Sequence, residues 1–313
     1  MKLYKLIAIF LFLTSCADND VNVISGKTMG TTYMVKAVNS TVSKTTIDNR
    51  LWQINNTFSN WDSASELSKL NSAPVNKWID VSNDLYLVLA QAKKINQQTQ
   101  GFFDPGIGKL IDLWGFGAVS SSIKPTRKAV EESKIEASID NLVLDNNKVK
   151  KLKDISINLS AIAKGYGVDE IARLLANNGV DSFMIEIGGE VFARGSNLGS
   201  NWVVGIEMPN NQTPIAIKLK NEAVASSGDY RNYFIWEGKK YMHIINPNTG
   251  LPAKTNLSSV SVINSKTMLA DAYATAMMAM GSEKAQSLAN KLNLKTIMIL
   301  NEEHSYKILK VNL

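Results

Sequence analysis

Four short apolar segments follow one another in the middle of the chain, with only turn residues and polar stretches between them. They are residues 183–187, 191–194, 202–207 and 215–219. Consecutive strands with short connections pair antiparallel, because a parallel pair needs a crossover of a dozen or more residues. Helical patterns lie elsewhere, at residues 42–59, 84–98, 160–177, 268–280 and 283–292, and no regular βαβ alternation appears. The sequence therefore predicts an α+β fold with a mainly antiparallel sheet and packed helices.

Turn and cap residues set some of the expected boundaries. Ser160 is the residue type that caps a helix at its N-terminus, and Gly179 is the type that follows a helix at its C-terminus. Glu237 and Gly238 separate two short apolar segments, which predicts a hairpin at that point.

The length, composition and charge of the chain exclude some classes of protein. The chain has 313 residues, of which 45% are apolar and 20% charged, as in an ordinary folded protein. No apolar run reaches the roughly 18 residues that a membrane-spanning helix needs. The formal net charge of +6 is spread along the chain. A mild, dispersed charge does not indicate a nucleic-acid surface, and we expect no nucleic-acid partner.

The first 16 residues have the pattern of a secretion signal that ends in a lipid attachment site. Lys2 and Lys5 precede an apolar segment at residues 6–13, and the four residues ending in Cys16 resemble a bacterial lipobox. A diacylated Cys16 would anchor the protein stably without a spanning helix. Ala17 stands where Asp would resemble the inner-membrane retention signal. We expect a periplasm-facing lipoprotein on the inner or outer membrane; the alternative is an ordinary signal peptide with an incidental Cys.

Domain boundaries follow from this interpretation. We predict that residues 1–16 form the lipoprotein signal peptide, residues 17–24 a polar tether, and residues 25–313 a single folded domain. Within that domain, a first strand is expected at residues 27–38.

Several chemistries are excluded by composition. Cys16 is the only cysteine, so disulfides, cysteine–zinc sites and a cysteine nucleophile are ruled out. The two histidines, His243 and His304, are too far apart for a zinc motif of the H-E-x-x-H type. Any metal is therefore expected to be a hard cation with oxygen ligands.

Two segments resemble nucleotide-binding motifs, but their glycines do not have the spacing that those motifs require. Gly26-Lys27-Thr28 has the ending of a phosphate-binding P-loop, but Val21 occupies the position that requires glycine. Gly106-Ile107-Gly108 lacks the third glycine of a dinucleotide-binding turn.

Three other groups of residues are better candidates. Asp271 and Thr275 are four residues apart on one face of an apolar helix, where a buried carboxylate needs a partner or a metal. The helix that begins near residue 160 presents free N–H groups to an anion, with Lys164 nearby. Taken alone, its glycines are better explained by close packing of a capped helix. His243 is a candidate base or a structural histidine, and the residues alone leave both open.

These groups belong to a longer ordered set of short motifs. The set comprises residues 26–31, 58–62, 65–68, 101–117, 158–167, 186–190, 226–230, 243–250 and 271–275. Together they resemble the ApbE family of FAD:protein FMN transferases over about residue 23 to the C-terminus. The resemblance implies a single T-fold-like domain of α+β class.

The family resemblance implies a function and a set of site residues. It implies transfer of the FMN half of FAD to a Thr, or sometimes Ser, hydroxyl of an acceptor protein, with release of AMP and a requirement for Mg²⁺. By position, the Mg²⁺ ligands would be Asp271, Thr275 and the backbone carbonyl of Ala161, and His243 matches the base. The FAD site would be lined by Met29, Trp61, Phe102, Phe103, Asp104, Asn158, Lys164 and Ile244.

The sequence departs from the family at one site position. Many members have Asp where this chain has Asn158, so the contact made there is altered. Lys164 matches one branch of the family, whereas another branch has Glu.

Acceptors implied by the resemblance are subunits of the sodium-pumping NADH:quinone reductase and of the Rnf complex. Two other functions remain open at this point. One is an FAD pyrophosphatase that releases FMN and AMP, and the other is a flavin-binding lipoprotein without catalysis.

Overall fold

The computed structural model describes residues 20–118, 124–209, 212–229, 233–303 and 305–313. Within these ranges the chain forms eight α-helices. They are α1 (Lys44–Phe58), α2 (Glu66–Ser72), α3 (Asn83–Gln98), α4 (Gly108–Leu113), α5 (Arg127–Lys134), α6 (Ala163–Asn177), α7 (Thr267–Met280) and α8 (Ser282–Leu292).

The same ranges contain 17 strands, most of them short. They are β1 (Val21–Thr28), β2 (Thr31–Val38), β3 (Trp78–Asp80), β4 (Leu142–Asp145), β5 (Lys148–Lys151), β6 (Phe183–Ile187), β7 (Glu190–Arg194), β8 (Trp202–Ile206), β9 (Ile215–Leu219), β10 (Glu222–Gly228), β11 (Tyr233–Trp236), β12 (Lys239–Met242), β13 (Ile245–Asn246), β14 (Leu251–Pro252), β15 (Leu257–Asn264), β16 (Lys295–Glu302) and β17 (Ser305–Val311).

One eight-stranded sheet organises the domain. Its order is β1-β2-β6-β7-β10-β15-β16-β17, and all its neighbours pair antiparallel. The connections explain this order, since β1–β2, β6–β7 and β16–β17 are joined by tight turns. The predicted α+β class with a mainly antiparallel sheet is confirmed.

Helices α6 and α7 pack on the sheet and on each other. Most of α7 is buried, because nearly all of its side chains are apolar or small. A separate apolar cluster joins α1 and α6 to β2 and β6, through residues such as Leu51, Ile171 and Ile185. The core therefore holds the N-terminal ends of α6 and α7 in fixed positions beside the sheet.

The predicted hairpin at Glu237 and Gly238 is confirmed as β11 and β12. Both residues have positive φ, 48° and 71°, as a two-residue hairpin turn requires. No other described strand pairs with this hairpin. It is held instead by aromatic rings, since Trp236 and Tyr241 stack against Trp114 with ring centroids 6.0 and 6.1 Å apart.

Two predicted boundaries at the start of the domain are wrong. The expected strand at residues 27–38 is a hairpin, β1 and β2, with a turn at Met29 and Gly30 where φ is 49° and 73°. Residues 21–24 were predicted as tether, but they pair along β2, where Val21 lies opposite Val38. β1 is an edge strand with no fully buried side chain, so no buried apolar run marks it in the sequence.

The predicted helix cap at Ser160 is also wrong. Helix α6 begins at Ala163, and Ile162 occupies the cap position without a side-chain hydrogen bond. The side chain of Asn158 instead accepts the N–H of Ser160 at 3.0 Å, and the Ser160 hydroxyl also contacts it. Gly179 follows the helix with φ 76°, as predicted.

The predicted signal peptide, Cys16 and residues 17–19 of the tether lie outside the described residues. Within the described ranges, no helix is both long and apolar enough to cross a membrane.

Candidate active site

The N-terminal ends of α6 and α7 meet at the centre of the site. Gly165, in the first turn of α6, donates its N–H to Asp271 Oδ2 of α7 at 3.1 Å. A Cβ at Gly165 would lie 2.5 Å from the carbonyl oxygen of Thr267, so only glycine permits this approach. In return, Asp169 of α6 accepts the N–H groups of Thr267 and Met268 at 2.8 and 3.0 Å. Each helix thus supplies a carboxylate to the free N–H groups of the other.

Asp271 is a buried carboxylate in an unusual setting. Burial raises its pKa, while Lys164 and the N–H of Gly165 oppose that rise. Thr275 lies one turn further along α7, and its hydroxyl is 3.0 Å from the hydroxyl of Ser227 on β10. Ala161 directly precedes α6, where its carbonyl is not part of a helix.

The donor set fits a hard cation that is only partly coordinated by protein. Asp271, Thr275 and the Ala161 carbonyl offer oxygen atoms, which Mg²⁺ prefers. Across the described ranges, no three His, Cys, Asp or Glu side chains cluster as a metal cage. Mg²⁺ commonly keeps several waters and takes substrate phosphates as ligands, so a sparse protein set is suitable.

Lys164 and Glu190 form an ion pair beside Asp271. Lys164 Nζ lies 3.1 Å from Glu190 Oε1, and the Glu190 side chain is 4% exposed. Burial raises the pKa of Glu190 above its ordinary value, because desolvation outweighs the attraction of Lys164 and Asp271 raises it further. Burial lowers the pKa of Lys164, but Asp271 and Glu190 together hold it above its ordinary value. The ammonium group of Lys164 therefore stays charged, and an anion that binds it must compete with Glu190.

Two turns bring further residues to this point. The turn between β6 and β7 holds Gly188, where a Cβ would lie 2.8 Å from Thr31 and 3.3 Å from the Lys164 side chain. Met29, in the turn between β1 and β2, lies against α6, since a Cβ at Gly167 would be 3.5 Å from Met29 Sδ. The structure thus places Met29 against α6 at Gly167, three residues along the helix from Lys164.

The loop that carries Trp61 is fixed to the segment before α6. Asn60 donates its side-chain amide to the carbonyl of Ile157 at 2.8 Å, which joins the residue before Trp61 to the residue before Asn158. The Trp61 indole is 62% exposed. A large exposed ring next to a polar site is suited to stack on a planar ligand.

The loop after α3 contacts the same segment. Asn158 donates its N–H to the carbonyl of Pro105 at 2.8 Å. Phe102 is half-buried, and Lys284 lies 4.9 Å from its ring centroid. Phe103, by contrast, is buried in the main apolar core.

Asp104 holds this loop in shape. Its Oδ1 accepts the N–H groups of Gly106 and Ile139, both at 2.8 Å. Burial raises the pKa of Asp104 to about 6, although these two hydrogen bonds oppose the rise. The contacts made by Asp104 within the protein are thus structural ones.

His243 follows β12 directly and lies against the segment at residues 101–117. Its ring centroid is 6.4 Å from that of Phe116, in an edge-on arrangement, and its side chain is half-buried. Trp114 Nε1 donates to the carbonyl of Gly250 at 2.8 Å, which ties the end of the same motif to α4. Ile244 is buried in the core beside His243.

Sequence reasoning missed three residues that organise the site. Glu190 and Ser227 were part of recognised motifs without an assigned role, and Asp169 was not considered. A charged residue directly after Gly188-Gly189 and at the start of an apolar strand was the available signal for Glu190. Asp169 gave no such signal, because its partners lie about 100 residues away.

Comparisons with known proteins agree with one another. A sequence profile of the ApbE family matches residues 29–299. The chain is 37% identical to the FAD:protein FMN transferase of Haemophilus influenzae, with 96% of this chain and 92% of that protein covered. It is 35% identical to the protein of the same name from Vibrio cholerae, with 96% and 94% covered.

Solved structures show the same similarity. The flavin transferase ApbE from Vibrio cholerae superimposes with a TM-score of 0.86 at 33% identity, covering 93% of this chain and 97% of that one. The apo flavinyl transferase ApbE of Pseudomonas stutzeri superimposes with a TM-score of 0.88 at 29% identity, covering 94% and 95%.

Proposed function

The chain belongs to the ApbE family, and we propose on that basis that its site transfers FMN through a cation- and anion-binding cluster at the start of α6. It is an enzyme that moves the FMN part of FAD to an acceptor protein, as its relatives' names state. The observation that carries the proposed site is the convergence of Lys164, Asp271 and the N–H of Gly165. A helix N-terminus with an ammonium group and a carboxylate suits a diphosphate and its cation.

We propose that the acceptor is a Thr or Ser hydroxyl and that AMP is released. The hydroxyl oxygen forms a bond to the phosphorus of the FMN half, and the bond from that phosphorus to the AMP oxygen breaks. The hydroxyl proton passes to His243, which can accept it at neutral pH. No nucleophile from the enzyme is required, which agrees with the absence of a cysteine after Cys16.

Mg²⁺ is the proposed cofactor, held by Asp271, Thr275 and the Ala161 carbonyl. When bound, it would neutralise the charge that develops on the phosphate oxygens. The chain's own contribution is to fix the ligands: Gly165 orients Asp271, and Ser227 orients the Thr275 hydroxyl.

The FAD site is proposed to lie between the turn at Met29 and the loop at residues 101–105. Trp61, Phe102, Asn158 and Lys164 line it in this proposal. Phe103, Asp104 and Ile244 are buried or bonded within the protein, so their proposed role is to shape the site.

We further propose a periplasm-facing lipoprotein anchored through Cys16, with acceptors of the sodium-pumping NADH:quinone reductase or Rnf type. Support comes from the signal-like segment that ends in the only cysteine.

The direct test is the intact mass of a Thr-containing acceptor domain after incubation with residues 17–313, FAD and Mg²⁺. A gain of one FMN that is lost with EDTA supports the transferase and the metal. Free FMN and AMP without a mass gain would indicate a pyrophosphatase. Intact FAD with several acceptors would indicate a binding protein.

Asp271→Ala tests the proposed metal site in the same assay. We expect FMN transfer to be abolished while the protein stays folded, because the carboxylate is the one charged ligand proposed for the cation. Circular dichroism and thermal unfolding serve as the control for folding. Near-normal transfer by the folded variant would remove Asp271 from the metal site.

A further inference from the structure

Glu190 lies inside the site, although it is neither a proposed metal ligand nor a proposed FAD contact. It begins β7 directly after the Gly188-Gly189 turn and is 3% exposed. Its Oε1 accepts from Lys164 Nζ at 3.1 Å. Its Oε2 is buried and has no hydrogen-bond partner among the described residues. A buried carboxylate oxygen without a hydrogen-bond partner is unfavourable in the free protein, which sets Glu190 apart from a side chain that only fills space.

The charges around Glu190 are unbalanced. Two buried carboxylates, Glu190 and Asp271, interact with one ammonium group, that of Lys164. Among the described ion pairs, Lys164 is the cation placed against Glu190, and the Asp271 carboxylate is met by the neutral N–H of Gly165. The free site therefore has room for additional positive charge and disfavours additional negative charge.

The FAD diphosphate is an anion, and it needs the same ammonium group that Glu190 occupies. Without a cation, the diphosphate must compete with Glu190 for Lys164 and must approach two carboxyl groups. A divalent cation beside Asp271 reverses the sign of the local charge. Charges act strongly here because the site is largely removed from water.

We propose that Glu190 makes FAD binding dependent on the divalent cation, by occupying Lys164 and repelling the diphosphate until a cation is present. The coupling is reciprocal, so bound FAD raises the affinity for the cation by the same factor. Glu190 acts through Lys164 and through the charge of the site, and it is therefore a positioning residue. The inference rests on the proposed function, since it assumes that FAD and Mg²⁺ bind at this cluster.

Glu190→Gln tests the proposal by binding rather than by turnover. The amide keeps the size of the side chain and an oxygen for Lys164, but it removes the charge. The Kd for FAD is measured by equilibrium dialysis in EDTA and in saturating Mg²⁺, with chromatography to show that FAD stays intact. We expect FAD to bind the variant roughly tenfold more tightly in EDTA and the enhancement by Mg²⁺ to fall by a similar factor, within the usual range of couplings.

Glu186→Gln is the matched control. Glu186 lies in the preceding strand of the same turn, and its Oε1 accepts the N–H of Gly189 at 2.6 Å. The substitution removes the same charge four residues away without touching the Lys164 pair. We expect the metal dependence of FAD binding in this variant to match that of the unsubstituted protein.

Glu190→Asp is the second variant, because it keeps the charge and shortens the reach. It should keep the metal dependence that Glu190→Gln loses, which separates an effect of charge from one of packing. If Glu190→Gln does not fold, the Glu190→Asp variant decides. Metal-dependent FAD binding in Glu190→Asp would then support the charge mechanism, and loss of that dependence would contradict it.

Three results would overturn the inference. They are wild-type metal dependence in folded Glu190→Gln, an equal change in Glu186→Gln, and an FAD affinity of the unsubstituted protein that Mg²⁺ does not alter. Failure of the proposed function looks different, because the unsubstituted protein would then bind no FAD with or without Mg²⁺.

Discussion

His243 stands one residue beyond a hairpin that aromatic stacking fixes in place. Phe116 contacts both the His243 ring, at 6.4 Å, and the Phe234 ring, at 4.7 Å between centroids. A base must be held near its target, and a ring packed edge-on against Phe116 loses much of its freedom to rotate. A fixed ring position is what a general base requires. A histidine with only a structural role would pack against Phe116 in the same way.

His243→Ala separates these two roles. We expect the variant to bind FAD normally and to transfer FMN roughly 10²–10⁴-fold more slowly, as for a lost general base. The rate is measured by acceptor mass over time, and FAD affinity is the control. An unchanged rate with normal FAD binding would leave His243 a structural residue.

Asp104 couples the shape of a site loop to pH. Its folded-state pKa is raised from 3.8 to about 6. As pH rises from about 4 to about 6, the unfolded chain loses this proton first, so the free energy of unfolding falls across that window. Well above pH 6, Asp104 is ionised in both the folded and the unfolded chain, and its contribution to the free energy of unfolding no longer changes with pH.

Asp104→Asn should remove this component of the pH dependence. Both N–H groups bond to Oδ1, an atom that the amide retains. The variant should gain stability relative to the unsubstituted protein between about pH 4 and 6, by up to about 3 kcal/mol for a two-unit shift. Denaturant unfolding at several pH values measures this, and Asp80→Asn, at a side chain 88% exposed, is the control. Parallel pH profiles for Asp104→Asn and the unsubstituted protein would contradict the shift.

At the scale of elements, three helices are joined by one ion-pair network. Arg50 of α1 lies 2.7 Å from Asp84 of α3 and 2.5 Å from Glu170 of α6. Tyr166, two residues after Lys164, donates its hydroxyl to Asp84 at 2.8 Å. Because these side chains are largely buried, the network fixes the start of α6, and with it the N–H groups that face Asp271.

Arg50→Ala should loosen this arrangement. The change removes the shared partner of Asp84 and Glu170, which keep Tyr166 and Arg173 respectively. We therefore expect a loss of about 2 kcal/mol, below the usual range for a fully broken buried pair. Denaturant unfolding measures it. Arg127→Ala, which breaks a fully exposed helix pair with Glu131, is the matched control and should show no measurable change. Equal effects of the two substitutions would mean that burial does not distinguish the pairs.

At the scale of the whole molecule, the chain enters the domain along the edge of the large sheet. β1 is the outermost strand and begins at Val21, only a few residues after Cys16. In the proposed lipoprotein, this short connection would hold the domain close to the membrane surface.

Cys16→Ser tests that proposal. Without the thiol there is no atom to acylate, so we expect the protein to move from the membrane fraction to the soluble fraction of the cell envelope. Immunoblotting of the two fractions is the measurement, and Ser15→Ala, which leaves the thiol in place, is the control. Persistent membrane association of Cys16→Ser would point to another anchor.

Local signals were sufficient for much of the fold. Alternating and continuous apolar segments predicted β6 to β9, and turn residues predicted the β11–β12 hairpin. These features depend on neighbours in the sequence, where periodicity and turn chemistry act directly. The ordered motifs likewise identified the family, because each is a short run of residues.

The errors and omissions had a shared physical cause. β1 has no fully buried side chain to mark it in the sequence, and its stability comes from pairing with β2. Ser160 looks like a helix cap, but Asn158 takes its N–H and Asp271 takes that of Gly165, over 100 residues away. When the hydrogen-bond acceptors at a helix N-terminus come from distant parts of the chain, the sequence around that helix does not identify them.

The sequence by itself determined the class of fold, the family and the set of candidate residues. Tertiary structure alone decided how they combine: which carboxylates face each other, that Glu190 occupies Lys164, and that Asp104 supports a loop. The reason is that burial and long-range contact set the charge state of a group, and neither is encoded in its immediate neighbours.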